Sequence, residues 1–146
     1  MELLVALDLS ASTEEVVKKA EEIANALSAK VWLLHVAAPE PDFVGWDTDL
    51  QSARDAIAKA FHKEHRQIQE ISDRLRKTGL DAEALLVQGS TVKEILEAAS
   101  KLNVDMIVVG SHGRGMAYQL LLGSVSEGVL HKSECPILIV PTHGRT

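Results

Sequence analysis

Short apolar runs alternate along the chain with stretches whose apolar residues fall at helical spacing. Leu3 to Leu7 (LLVAL) is a continuous apolar run ending at Asp8, the pattern of a strand buried on both faces. Ser12 and Glu15 have the spacing of a capping box, and Val16, Val17, Ala20, Ile23, Ala24 and Leu27 follow on one helical face. Val31 to Val36 predicts a second strand, and residues 37 to 48, with Pro39, Pro41 and Gly45, predict a loop. A long helix is predicted over Leu50 to Lys77. Ile57, Phe61, Ile68, Ile71 and Leu75 mark its apolar stripe, and Glu64 occupies the one vacant slot. Arg74, Arg76 and Lys77 suit the negative end of its dipole, and Gly79 suits a stop.

The alternation in Asp81 to Val87 predicts a third strand that is half buried. Thr91 and Glu94 suggest another capping box, opening a helix on Val92, Ile95, Leu96, Ala99 and Leu102. Met106 to Val109 predicts a fourth strand closed by Gly110, then a helix near Ser124 to Lys132 and a fifth strand over Ile137 to Val140. Strands alternating with helices in this way make an α/β fold with a parallel sheet covered on both faces. No linker, repeat or low-complexity tract interrupts it, so residues 1–146 are expected to form one domain.

Composition narrows the function classes. The 15 Lys and Arg against 21 Asp and Glu give a formal charge of −6, which argues against a general nucleic-acid binder but leaves room for a small basic pocket. Hydrophobic residues at 46% and charged residues at 25% are those of a globular chain. Cys135 is the single cysteine, so no intramolecular disulfide can form and nothing points to an oxidising compartment. The opening MELLVALDLS carries Glu2 and no basic stretch, unlike a signal peptide, and no apolar run approaches the roughly 18 residues of a membrane span. A soluble, cytoplasmic protein without membrane insertion is expected.

Ligands of open parallel sheets bind beyond the carboxyl ends of the strands, where the strand order reverses. The segments to inspect are Asp8 to Ser10, Val36 to Ala38, Gln88 to Ser90, and Gly110 onward. The last is the most informative: Gly110-Ser111-His112-Gly113-Arg114-Gly115, then Gly123-Ser124-Val125-Ser126. Glycines let backbone N–H groups approach a ligand closely, and a helix start near Ser124 favours an anion there. Ser124 could cap the helix, donate its hydroxyl to phosphate, or do both. The plainer alternative is a glycine-rich turn followed by a cap. No GxxxxGK[ST] loop is present, and the GxGxxG begun by Gly113-Arg114-Gly115 fails at Tyr118.

Gly110, Gly113, Gly123 and Ser124 do fit another spacing, G-x2-G-x9-G-[ST]. With Asp8-Leu9-Ser10, LLHV in the second strand, Gly89-Ser90, GSHGRG and LLGSVSEGVLHKSECPILIV, the chain resembles the universal stress protein family over residues 1 to 142. The resemblance is to the members that carry this glycine pattern and bind ATP. It implies a doubly wound sheet of order 3-2-1-4-5 and a homodimer formed through the last strand, here Ile137, Leu138, Ile139 and Val140. It implies a cofactor-binding set at Ala6, Leu7, Asp8, Val36, Gly110, Gly113, Arg114, Gly123, Ser124, Val125 and Ser126. In that set Asp8 lies near ribose and phosphates, and the Val36 backbone bonds adenine. Gly110 and Gly113 lie against ribose and phosphates, while Gly123 to Ser126 hold the phosphate chain.

The residues can also be weighed one at a time. Asp8 could simply order its turn, but a carboxylate at that strand end also suits ribose hydroxyls or a magnesium ion on phosphates. His35 is expected to be a satisfied core imidazole. His112 and Arg114 could meet phosphate or remain solvated. His62 and His65 have half-site metal spacing without a third ligand, so a solvated face is expected, and Cys135 reads as structural. An apolar edge strand such as ILIV invites pairing with its two-fold mate.

The expectation is an ATP-binding, homodimeric regulatory module of the stress response, read by a protein partner and at most slow in hydrolysis, since no poised base or cationic finger is evident. Alternatives are an adenine-nucleotide α-hydrolase-like enzyme, disfavoured by the missing SGGxDS loop, and a nucleotide-free interaction domain. A flavodoxin-like carrier is disfavoured by an aromatic content of 3%.

Overall fold

Each apolar run forms a strand and each amphipathic stretch a helix in the computed structural model, which describes residues 1–39, 50–112 and 122–142. The elements are β1 (Glu2–Ala6), α1 (Thr13–Leu27), β2 (Lys30–Ala37), α2 (Leu50–Lys77), β3 (Ala82–Gln88), α3 (Thr91–Lys101), β4 (Met106–Gly110), α4 (Ser124–Lys132) and β5 (Ile137–Val140). They form one five-stranded sheet of order β3-β2-β1-β4-β5 with every pairing parallel. The α/β class and the order 3-2-1-4-5 are therefore as expected. No helix among the described residues is long and apolar enough to cross a membrane.

Strand alternation divides the core into two layers. Leu3, Val5, Val31 and Leu33 face α1 and α2, where Val16, Val17, Ile68, Ile71 and Leu75 close over them. Leu4, Leu34, Ile107 and Val109 face the opposite way, against Ile95 of α3 and Val129 of α4. The long stripe of α2 thus buries its second half on the sheet. Edge strand β3 keeps Ala84 to Val87 only partly buried, as its sequence alternation suggests. Because β1 lies between β2 and β4, the connections diverge to opposite faces at the β1–β4 boundary, opening a crevice at their carboxyl ends.

Neither anticipated capping box forms. Ser12 takes the N-cap position of α1 but makes no side-chain cap bond; its hydroxyl lies 2.9 Å from that of Ser10 instead. Local hydroxyl bonding has out-competed the box. In α3 the N-cap is Ser90 rather than Thr91, again without a side-chain bond, and the Glu94 N–H is taken by the Ser90 carbonyl at 2.9 Å.

Gly128 lies inside α4, where glycine normally costs about 1 kcal/mol relative to alanine. Its reason is contact with α3: a Cβ there would stand 2.8 Å from Val92 Cγ2. Val92 is β-branched and stiff, so it yields poorly. Gly128→Ala is expected to be destabilising alone and stabilising in a Val92→Ala background, with a coupling of about 1–2 kcal/mol. Urea melts of the four-member cycle measure this, and additive effects would contradict close packing of α3 and α4.

Candidate functional site

The crevice holds a cavity of about 380 Å³. Nine of the eleven site residues expected from the sequence line it: Ala6, Leu7 and Asp8 beyond β1, Val36 on β2, Gly110 at the end of β4, and Gly123 to Ser126 at the start of α4. Gly113 and Arg114 lie outside the described residues, as does Trp46. Leu34, Val109 and Ile95 supply apolar wall, while Ser12, Thr13, His112 and Thr91 add polar groups.

The loop after β1 is fixed by Asp8. Its Oδ1 accepts from the Ser10 N–H at 3.0 Å and from the Ser10 hydroxyl at 2.7 Å. Between them Leu9 adopts φ +58°, a left-handed conformation that costs a bulky side chain about 1–2 kcal/mol. Side-chain bonding on either side and the packing of Leu9 on the α1–α2 core hold it there. The turn-ordering role considered for Asp8 is therefore real, and Asp8 lines the cavity as well.

At α4 the N-cap is Gly123, and Ser124 is the first helical residue, exposed and without a cap bond. Capping by Ser124 is thereby excluded, which leaves its hydroxyl available to the cavity. By helical geometry the N–H groups of Ser124, Val125 and Ser126 have no acceptor within the helix. Ser126 is 2% exposed and its hydroxyl lies 3.1 Å from both the Ser111 and Gly123 carbonyls, so its one proton is committed to the loop. Gly110 has a second reason to lack a side chain: a Cβ there would meet Thr142 Cγ2 at 3.0 Å and Val16 Cγ2 at 3.3 Å.

His35 is the satisfied core imidazole expected of it. Its Nδ1–H donates to the Leu7 carbonyl at 2.7 Å, and Nε2 lies 3.3 Å from Glu64 Oε2. Glu64, the polar interruption of the α2 stripe, thereby reaches the cavity wall together with His35. That interruption was the signal available in the sequence, but only the fold shows what it faces. Thr13 carried no comparable signal; its Oγ1 is buried with no hydrogen-bond partner among the described residues. Thr91 and Ile95 likewise read only as helix-start and core positions.

The described cavity wall includes the carboxylates of Asp8 and Glu64 and no Lys or Arg. Among the described residues, a polyanion there would meet backbone N–H groups, the α4 dipole and His112 rather than a Lys or Arg side chain. His62 and His65 are exposed on α2, and among the described residues no cluster of three or more His, Cys, Asp or Glu is placed to hold a metal ion.

The chain is similar to known proteins over nearly its whole length. The profile of the universal stress protein family matches residues 1–141. Universal stress protein A homolog 2 of Coxiella burnetii is 33% identical over 144 residues, covering 97% of this chain and 95% of its own. Among solved structures, MJ0577 of Methanocaldococcus jannaschii is similar with a TM-score of 0.75 and 26% identity, over 99% of this chain and 97% of that one. A universal stress protein solved in complex with cAMP is similar with a TM-score of 0.66 and 28% identity, over 97% of each chain.

Proposed function

The chain belongs to the universal stress protein family, and from that premise we propose that it is a homodimeric, cytoplasmic regulatory module whose ligand is ATP. The observation that carries this reading is the gathering of Asp8, Val36, Gly110 and Gly123 to Ser126 around one cavity at the strand-order reversal. The similar structure solved with cAMP supports an adenine nucleotide as the ligand class.

In this reading the three N–H groups at the start of α4 that have no acceptor within the helix receive phosphate oxygens in the positive end of the helix dipole. Ser124 contributes its hydroxyl, whereas Ser126, its own hydroxyl bonded to the loop, contributes its N–H. Val36 offers its backbone to the base. Asp8 takes ribose hydroxyls or a magnesium ion; the lack of a described Lys or Arg in the wall favours a cation accompanying the phosphates. Among the described residues no base stands out as poised to activate water, so turnover is expected to be slow and nucleotide occupancy to act as the signal. The outer edge of β5 offers Ile137 to Val140 for pairing with a second copy, closing both edges by two-fold symmetry.

Native mass spectrometry of the purified protein tests both parts. Two chains carrying adenine nucleotide are expected, and an empty monomer that also gives a flat calorimetric titration with MgATP would refute the reading. Ser124→Ala is expected to weaken ATP about three- to tenfold, the value of one hydroxyl bond, and to leave adenosine unaffected. Calorimetry with the two ligands checks this, and equal losses would place Ser124 away from the phosphates.

A further inference from the structure

The entrance and exit of the glycine segment are both tied to Ser111, and Ser111 is tied to Thr142. The β4–β5 ladder ends with Gly110 opposite Val140, and the Ser111 N–H then donates to the Val140 carbonyl at 2.8 Å. Beyond that point side-chain hydroxyls replace backbone partners. The Thr142 N–H donates to Ser111 Oγ at 3.0 Å. Thr142 Oγ1 accepts the His112 N–H at 3.1 Å and donates to the His112 carbonyl at 3.0 Å. On its other side the Ser111 carbonyl accepts the N–H of Gly123, the cap of α4, at 2.7 Å.

A continuous bonded path therefore runs from the end of β5 through Thr142 and Ser111 to the N-terminus of α4. Gly110 permits it, because a side chain there would crowd Thr142 Cγ2. Thr142 does not itself line the cavity, whereas His112 and Gly123 do.

We propose that Thr142 is a positioning residue for the phosphate end of the site, holding the Ser111–His112 entrance at a fixed height relative to the start of α4. This rests on the nucleotide reading above. Orientation matters there because N–H donors lose most of their value when misaligned with an oxyanion. The base and ribose end is walled by Val36, Leu34 and Asp8, whereas the hydrogen bonds of Thr142 described above go to Ser111 and His112, so the effect is expected at phosphate. The path is also reciprocal: phosphate that orders the entrance must stabilise the end of β5 by the same free energy.

The test is Thr142→Val, which keeps the methyl and the backbone N–H but removes both hydroxyl bonds to His112. Calorimetry is expected to show ATP weakened about tenfold, as two hydrogen bonds would give, with adenosine unchanged and Thr142→Ser close to wild type. Ser111→Ala, which removes the acceptor of the Thr142 N–H, is expected to lose ATP in the same selective way. Hydrogen exchange at residues 137–142 is expected to slow on ATP binding in the wild type and to respond less in Thr142→Val. Equal losses of ATP and adenosine, an unaffected Thr142→Val, or a Thr142→Ser as weak as valine would each overturn the proposal. A wild-type chain that binds neither ligand would overturn the nucleotide reading itself, and the positioning role with it.

Discussion

Replacing Gly123 with valine is expected to reduce ATP affinity at least about a hundredfold, close to 3 kcal/mol, while the protein remains folded. Gly123 has φ −63° and ψ 157°, an extended conformation open to any residue, so valine imposes no backbone penalty there. The N–H that donates to Ser111 at 2.7 Å survives the substitution. What changes is the space beside the first N–H groups of α4. On the nucleotide reading, a branched side chain at the cap would crowd the approach of phosphate oxygens to those donors without replacing them. Calorimetry with ATP, alongside a thermal melt, separates the two effects. Unchanged affinity in a folded variant would mean that phosphate does not approach α4.

The second large effect concerns the face that carries the α1–α2 side of the cavity. Ile68→Ala is expected to cost about 3–4 kcal/mol of folding stability. Ile68 is 0% exposed in the layer with Leu33, Val31 and Leu75. Removing its outer carbons leaves a void between a helix and a sheet whose parallel ladder resists collapse. Glu64 lies one helical turn before Ile68, so the His35–Glu64 contact at 3.3 Å should loosen with it. A lower urea midpoint with an unchanged slope is the expected observation. A loss below about 1 kcal/mol would show that α2 settles into the gap, contrary to the rigid packing described.

The glycine and serine positions of the candidate site were legible because their chemistry is backbone chemistry. Spacing places N–H donors whatever the surrounding side chains do, so Gly110 and Gly123 to Ser126 could be assigned to one strand end and one helix start before any contact was known. The caps were less legible. Ser12 and Thr91 have the right neighbours for capping boxes, but Ser10 engages Ser12 and the Ser90 carbonyl takes the Glu94 N–H. In each case a rival partner within five residues won, and local pattern does not rank rivals. The proposed homodimer, nucleotide and protein partner each involve a second molecule, which local pattern in one chain does not describe.

By itself the sequence determined the α/β class, the nine elements to within a residue or two, and the location of the glycine segments. Those properties follow from periodicity and turn chemistry, which act over a few neighbouring residues. Tertiary structure alone decided that Glu64 faces His35 across 29 positions of chain, that Gly128 accommodates Val92, and that Thr142 bonds His112 from 30 positions away. Such contacts arise when distant segments are brought to one sheet end, and the energy that selects them is absent until the sheet has formed. The proposed phosphate end of this site is therefore written partly in residues whose local pattern gave no sign of it.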